Sequence, residues 1–274
     1  MTIPRVTIPR ILVIAGSDSG GGAGIQADIK TITMLGGHAM TAITAITAQN
    51  TMGVTGVLAV PAAMVIAQID AVATDIGIDA IKIGMIGSAE TAHALADRLD
   101  GLRSIPIVLD PVMVATSGAA LADAATIDAF ARLMGLATIV TPNLPELAAL
   151  TGRDVTTVAA AGDAAALLAG RHGCAVLAKG GHLEGDAVVD ILVGSGAPAR
   201  RWSDSRIVTR HSHGTGCTLA SGIAAGLAAG MAIEPAIGRA RDYVRAALRA
   251  APGLGAGHGP MGHALGQVPF ARLA

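Results

Sequence analysis

Short β-branched runs alternate with alanine-rich stretches along almost the whole chain, and this rhythm leaves few architectures open. Strands are expected at 10–16, 39–47, 54–60, 79–84, 106–110, 137–141 and 174–179. Helices are expected at 24–35, 61–75, 89–100, 121–134, 145–151, 156–170, 215–231 and 235–250. Such alternation builds a mainly parallel sheet, because each parallel pair needs a crossover long enough to hold a helix. The strands read as unbroken apolar runs, such as Ile105-Pro106-Ile107-Val108-Leu109. A sheet covered by helices on both faces requires that pattern. Residues 185–193 and 200–209 break the rhythm around Gly194-Ser195-Gly196 and predict an antiparallel pair at one edge. No linker or composition shift marks a second domain. The reading is therefore one α/β domain over residues 1–274, with 1–8 a frayed tail.

Composition narrows the partners. The chain is 52% hydrophobic and 14% charged, with 1% aromatics, so its core must be built from Ala, Val, Ile, Leu and Met. The net charge is -1 and no Lys/Arg run occurs, which argues against nucleic acid or an anionic membrane as partner. Cys174 and Cys217 lie far apart without metal-type spacing, which fits a reducing cytosol and a cytoplasmic protein. The apolar run Ile11 to Ala15 is too short for a signal peptide. Residues 211–233 carry no Asp, Glu, Lys or Arg, and Gly222, Gly226 and Gly230 recur every four positions. The run is mostly Ala, Gly, Ser and Thr, so it reads as a buried helix with its glycine stripe against the sheet, not as a membrane span.

Open α/β sheets bind ligands beyond the carboxyl ends of their strands, so the loops that follow strands carry the function. Gly16-Ser17-Asp18-Ser19-Gly20-Gly21-Gly22-Ala23-Gly24 joins the first strand to the first helix. A dinucleotide site would want an acidic residue about 20 positions on. From Ile29 to Ile69 there is no Asp or Glu, which disfavours a nicotinamide-dependent oxidoreductase. No Gly-Lys-Ser/Thr follows either, so the loop admits a small ligand without a standard nucleotide fingerprint. Thr141-Pro142-Asn143-Leu144-Pro145-Glu146 places Asn143 and Glu146 three apart at a helix start, where a capping box alone would explain both. Lys179-Gly180-Gly181-His182 sets a lysine at a strand's carboxyl end beside small residues.

His213-Gly214-Thr215-Gly216-Cys217-Thr218 opens the glycine-striped helix. A helix start offers unpaired N–H groups and about half a positive charge. Gly214 and Gly216 let an anion approach those amides, an arrangement suited to a transferring phosphoryl group. Cys217 at the mouth is either a small buried residue or a thiol whose pKa the helix terminus lowers. Asp110-Pro111-Val112-Met113 ends a strand with a carboxylate able to hold Mg²⁺ through water. Gln49-Asn50-Thr51 and Lys82-Ile83-Gly84-Met85 also end strands. A carboxamide offers one donor face and one acceptor, a two-point match for an aminopyrimidine edge. The eight histidines are scattered without metal-ligand spacing, and Gly257-His258-Gly259-Pro260 is a turn with no assignable chemistry.

Taken in this order, with Gly24-Ile25-Gln26-Ala27-Asp28 completing the first motif, these segments resemble the hydroxymethylpyrimidine/phosphomethylpyrimidine kinases of the ribokinase-like superfamily across residues 10–262. The resemblance implies a ribokinase-like fold. It implies MgATP-dependent phosphorylation of 4-amino-5-hydroxymethyl-2-methylpyrimidine, then of its monophosphate, in thiamine biosynthesis. By the family pattern Gln49 reads the pyrimidine edge, and Ala23, Asp28, Met85 and Val112 line its pocket. Asn143 and Glu146 organise Mg²⁺ and phosphates through water, and Lys179 contacts ATP phosphates. Thr215, Gly216 and Cys217 form the anion hole, with Gly214 among the phosphate-binding residues. Relatives are commonly homodimers. Sugar kinases of the superfamily carry Asp where Cys217 stands, and pyridoxal kinases share the cysteine, which makes them the nearest rival. A non-catalytic binder of thiamine precursors would be expected to lose Lys179 or the 214–217 segment, and both are present. Ala119-Ala120 replace a position where the family often has Asp, in a loop expected to act as a cover.

Overall fold

The computed structural model describes residues 8–114, 118, 121–194 and 198–265. Residues 1–7 of the expected tail, most of the 115–120 cover, and Ser195 and Gly196 lie outside the described residues, while Ile8 is described and exposed. The chain runs β1 (Arg10–Asp18), α1 (Gly24–Met34), β2 (His38–Asn50), β3 (Gly53–Ala59), α2 (Ala62–Asp75), β4 (Ala80–Ile83), α3 (Ala89–Asp100) and β5 (Ile107–Leu109). It continues with α4 (Ala124–Met134), β6 (Ile139–Val140), α5 (Leu144–Thr151), α6 (Val158–His172), β7 (Ala175–Ala178), β8 (Ala187–Val193), β9 (Arg200–Ser205), α7 (Thr215–Ala228) and α8 (Ile233–Arg249).

The strands join one sheet in the order β3-β2-β1-β4-β5-β6-β7-β8-β9. Strands β2 to β7 are mutually parallel in that order, and β8 and β9 add the expected antiparallel edge. The opposite edge is antiparallel too, since β3 returns against β2. Only Thr51 and Met52 join them, too few for a crossover. Helix α4 begins at Ala124 rather than 121 because the Asp123 carboxylate caps it, accepting from the Thr126 amide at 2.8 Å.

Successive residues of the central strands feed opposite cores. Leu12 and Ile14 pack with α2 to α6, whereas Ile11, Val13 and Ala15 pack with α1, α7 and α8. Each large aliphatic side chain removed from water in these layers contributes about 1.5–3 kcal/mol. The glycine stripe of α7 serves a different contact from the expected one. A Cβ on Gly222 or Gly226 would come within 2.8 Å of the Ala240 or Ala236 Cβ on α8. The stripe brings two helices together, while Gly230 lies past α7 with φ +81 and nothing packed on it. Among the described residues no helix is long and apolar enough to cross a membrane.

The site follows from topology. β1 hydrogen-bonds to β2 on one side and β4 on the other, so the strand order reverses there. A crevice opens beyond the carboxyl ends at such a point. It is continued by the ends of β5, β6 and β7 and closed by the N-terminus of α7.

Candidate active site

A cleft of about 1020 Å³ lies over these strand ends. Ala23, Gln49, Met85, Val112, Asn143 and Lys179 line it, together with Asp110, Glu146 and residues 214–217. Segments dispersed from residue 16 to residue 217 therefore share one space. Asp28 does not line it. Its carboxylate is wholly buried, 2.9 Å from Lys82 Nζ, and accepts from Ser221 Oγ at 2.6 Å. The expected pocket residue is instead half of an ion pair between α1, β4 and α7.

One end of the cleft gathers Gln49, His213 and Asp18. Gln49 lies at the end of β2, with its amide donating to Ser19 Oγ at 2.8 Å and its carbonyl accepting from the same hydroxyl at 2.7 Å. Its side chain reaches His213 Nε2 at 3.1 Å and Thr47 Oγ1 at 3.2 Å. The glycine-rich loop does not cradle an external anion. Asp18 fills it, accepting from the amides of Gly20 at 2.8 Å, Gly22 at 3.0 Å and Ala23 at 2.8 Å, with His213 Nε2 at 2.9 Å. Burial opposes ionisation of Asp18, but the His213 ring and these amides outweigh it and hold the carboxyl below its usual range. Neither Asp18 nor His213 is a role the sequence assigns. The two lie 195 positions apart, and only the fold joins them.

The other end is charged. Lys179, just past β7, places Nζ 2.7 Å from Asp110 Oδ1 and 4.0 Å from Glu146 Oε2. Burial disfavours its charge, but the two carboxylates override that and raise its pKa. Thr141 Oγ1 donates to the same Asp110 oxygen at 3.0 Å. Asn143 and Glu146 do form a capping box: the Asn143 amide donates to Glu146 Oε2 at 2.7 Å, and the Glu146 amide to Asn143 Oδ1 at 2.9 Å. The same Glu146 carboxylate also faces Lys179, so capping does not remove it from the cleft.

Burial, with Asp110 adding to it, raises Glu146 from the usual carboxyl value to about 7 against the pull of Lys179. The folded protein then holds this proton more tightly than the unfolded chain. Stability is accordingly full below the ordinary carboxyl pKa and is lost as pH rises through about 7. Glu146→Gln keeps the cap acceptor and should flatten this loss. Urea unfolding at pH 5 and pH 8 without nucleotide checks it, and equal pH dependence in both proteins would refute the shift.

Helix α7 brings its N-terminus to Lys179. A Cβ on Gly216 would lie 3.2 Å from Lys179 Nζ and 3.3 Å from Asp110 Oδ2, so only glycine leaves that approach open. Fewer donors are left open at this helix start than the sequence suggests. Thr215 commits its amide and its hydroxyl to the Ser212 carbonyl, at 3.2 and 2.6 Å. Gly214, at φ +86, lies where a Cβ would be 1.9 Å from the Gly22 carbonyl oxygen, so it interlocks two loops. The Gly216 and Cys217 amides remain as first-turn donors without an intrahelical acceptor.

The Cys217 thiol is not activated. Burial pushes it up to about 11, and the Lys82 charge beneath it does not compensate. It is a neutral thiol at neutral pH. Its alkylation by iodoacetamide should therefore climb about tenfold per pH unit up to pH 9.5 with no plateau. Peptide mass spectrometry would read this, and a plateau near pH 8 would restore an activated thiolate. Gly257-His258-Gly259-Pro260 has a structural role: the His258 amide donates to the Thr51 carbonyl at 2.9 Å and the His213 amide to Gly259 at 3.2 Å. It braces the β2–β3 turn and the α7 entry loop.

A sequence profile described as phosphomethylpyrimidine kinase matches residues 18–262. A thiamine biosynthesis bifunctional protein of Geobacter sulfurreducens is 48% identical over 264 residues, covering 95% of this chain and 54% of that protein. The chain thus spans about half the length of that relative. A hydroxymethylpyrimidine/phosphomethylpyrimidine kinase of Streptomyces coelicolor is 46% identical over 224 residues, covering 80% of this chain and 81% of the relative. Among solved structures, a Clostridium difficile phosphomethylpyrimidine kinase superposes with TM-score 0.77 at 38% identity, covering 87% and 98% of the two chains. A Bacillus subtilis pyridoxal kinase solved as an ADP complex superposes with TM-score 0.86 at 32% identity, covering 94% and 98%.

Proposed function

Because the chain belongs to the phosphomethylpyrimidine kinase family, we propose that it uses this cleft to move the terminal phosphoryl group of ATP onto 4-amino-5-hydroxymethyl-2-methylpyrimidine and then onto the monophosphate. The chain acts as one kinase domain over residues 1–274. The observation that carries the reading is the convergence of Lys179 Nζ on Gly216, in the cleft that also holds the Gln49 carboxamide. A cation and two bare amides meet at one point, in the same cleft as a group that can read an aminopyrimidine.

Gln49 holds the aminopyrimidine edge, while Ala23, Met85 and Val112 pack around the ring. The Gly216 and Cys217 amides and Lys179 receive the charge that spreads over the transferring phosphoryl group. Cys217, a neutral thiol, shapes the pocket beside the attacking hydroxyl and is no strong base. A loose transition state asks more for position and charge neutralisation than for early proton removal. Asp110 and Glu146 fit Mg²⁺ that arrives on the nucleotide: two carboxylates are what a phosphate-borne Mg²⁺ takes through its waters. Among the described residues no group of three His, Cys, Asp or Glu forms a resident metal cage. Bound there, the ion would neutralise phosphate charge.

A coupled assay of ATP consumption with the alcohol and its monophosphate tests the proposal. Turnover with either supports it, and none with either, from folded protein, overturns it. Pyridoxal belongs in the same assay, because the pyridoxal kinase superposition shows that fold alone does not select the ring. Gln49 predicts the higher kcat/KM for the aminopyrimidine.

A homodimer is part of the same reading. The β2–β3 edge exposes Ile46, Val57 and Leu58 by 51%, 51% and 66%. An apolar sheet edge is a surface that another chain can cover. Light scattering should give twice the monomer mass, and a monomer at micromolar concentration would remove this part. Two free cysteines suit work in a reducing cytosol.

A further inference from the structure

We propose that His213, anchored by Asp18, fixes which end of the Gln49 carboxamide faces helix α7, and so places the substrate's hydroxymethyl group on the phosphoryl-transfer side. This rests on the aminopyrimidine reading of the cleft given above.

Asp18 Oδ2 already accepts from the Gly22 and Ala23 amides, and His213 Nε2 lies 2.9 Å away. An ionised carboxylate oxygen can only accept, so the ring nitrogen facing it carries hydrogen. That same nitrogen is 3.1 Å from the atom placed as Gln49 Nε2. As nitrogen, this end sets two donors face to face; turned to oxygen, it shares the one Nε2 hydrogen with Asp18. Thr47 Oγ1 sits 3.2 Å from the atom placed as Gln49 Oε1 and 2.9 Å from the Ser17 carbonyl, two acceptors for one hydroxyl. A hydroxyl has one proton, and a carbonyl accepts only. Thr47 spends its proton on Ser17 and offers Gln49 a lone pair.

Both neighbours therefore demand the same assignment. The Gln49 carbonyl oxygen faces His213 and its amino group faces Thr47. The two ends of a carboxamide have the same shape, so the hydrogen-bond network decides between them. Packing holds the ring that does the deciding. A Cβ on Gly22 would lie 2.5 Å from His213 Cδ2, so the glycine admits the imidazole against the loop.

The consequence is directional. Gln49 presents its second oxygen lone pair at the His213 end of the cleft and its second N–H at the Thr47 end. On the substrate ring the acceptor nitrogen, the amino-bearing carbon and the hydroxymethyl-bearing carbon follow in that order. The amino group pairs with the carbonyl beside His213, and the ring nitrogen with the N–H beside Thr47. The hydroxymethyl group then lies beyond the amino group, on the side where His213 leads into Gly214–Cys217. Exchanging the carboxamide ends would turn the alcohol away from α7. His213 is in this sense a positioning residue for the reaction.

The test compares wild type, His213→Ala and His213→Gln with the aminopyrimidine alcohol and with its analogue lacking the amino group. For His213→Ala we expect kcat/KM for the alcohol at least about tenfold lower, with kcat itself reduced because part of the substrate binds turned away from α7, and preference over the deamino analogue reduced about tenfold, the value of one oriented hydrogen bond. His213→Gln carries an N–H donor near the same place and should recover most of the preference. An unchanged preference in folded His213→Ala, or no recovery in His213→Gln, overturns the proposal. Ring ¹⁵N shifts of His213 in the wild-type protein decide it without any turnover: a hydrogen on Nε2 at neutral pH is expected, and a bare Nε2 overturns it. Absence of wild-type turnover would instead defeat the aminopyrimidine reading, leaving the ring measurement to judge the carboxamide orientation.

Discussion

Lys179→Met should lower kcat about a hundred- to a thousandfold, the loss that follows removal of one preorganised charge-stabilising donor. KM for the alcohol should change little, because Gln49 and the ring pocket lie at the other end of the cleft. Nζ rests 2.7 Å from Asp110 and close to the bare Gly216 backbone, with only 13% of the side chain exposed. Methionine matches the length of the lysine stem but supplies neither charge nor donor. Removing the cation also leaves Asp110 and Glu146 facing each other, so part of the cost falls on stability. Thermal unfolding alongside the kinetics separates the two losses. If the folded variant keeps more than about a tenth of wild-type kcat, Lys179 does not stabilise the transferring group.

The legible part of this site is what strand ends and helix starts reveal locally. Gln49, Asp110, Asn143 and Lys179 each stand at or just past the carboxyl end of a strand that apolar runs already mark out, and the fold brings them together. Gly216 was legible for a similar reason, because a bare first turn is written in the sequence. What stayed hidden are pairings between distant segments. Asp18 looks like a loop residue until His213 and three amides converge on it. Asp28 sits in a motif that suggests a pocket residue, yet which face of α1 turns toward β4 is set by packing. Cys217 shows the limit most plainly. Its place at a helix N-terminus argues for a lowered pKa, and burial by neighbouring elements reverses the sign. The β2–β3 hairpin needed attention to loop length, since a two-residue connection excludes the parallel arrangement its neighbours share.

The buried ion pair beneath the site carries the largest expected effect on stability. Lys82 Nζ and Asp28 Oδ2 are 2.9 Å apart, and both side chains are 0% exposed. Lys82 stands between Ile81 and Ile83 on β4, where a neutral aliphatic would satisfy the core. Burial alone would strip its charge, but Asp28, with further help from Asp110, keeps it protonated well above the usual lysine range. Lys82→Met leaves Asp28 buried with Ser221 Oγ as its remaining polar partner among the hydrogen bonds described. Breaking one side of such a pair costs about 3–5 kcal/mol. For a chain of this size that is roughly a 10 °C fall in Tm. Replacing both partners, Lys82→Met with Asp28→Leu, removes the stranded charge, and well-packed apolar pairs often match the ions they replace. The double variant should therefore recover most of the lost stability, a coupling visible in a thermodynamic cycle. Additive losses in the double variant would show that the two residues matter by shape and not by charge. Recovery of Tm without recovery of turnover would show that the pair also sets the field under Cys217, whose ionisation it influences from both sides.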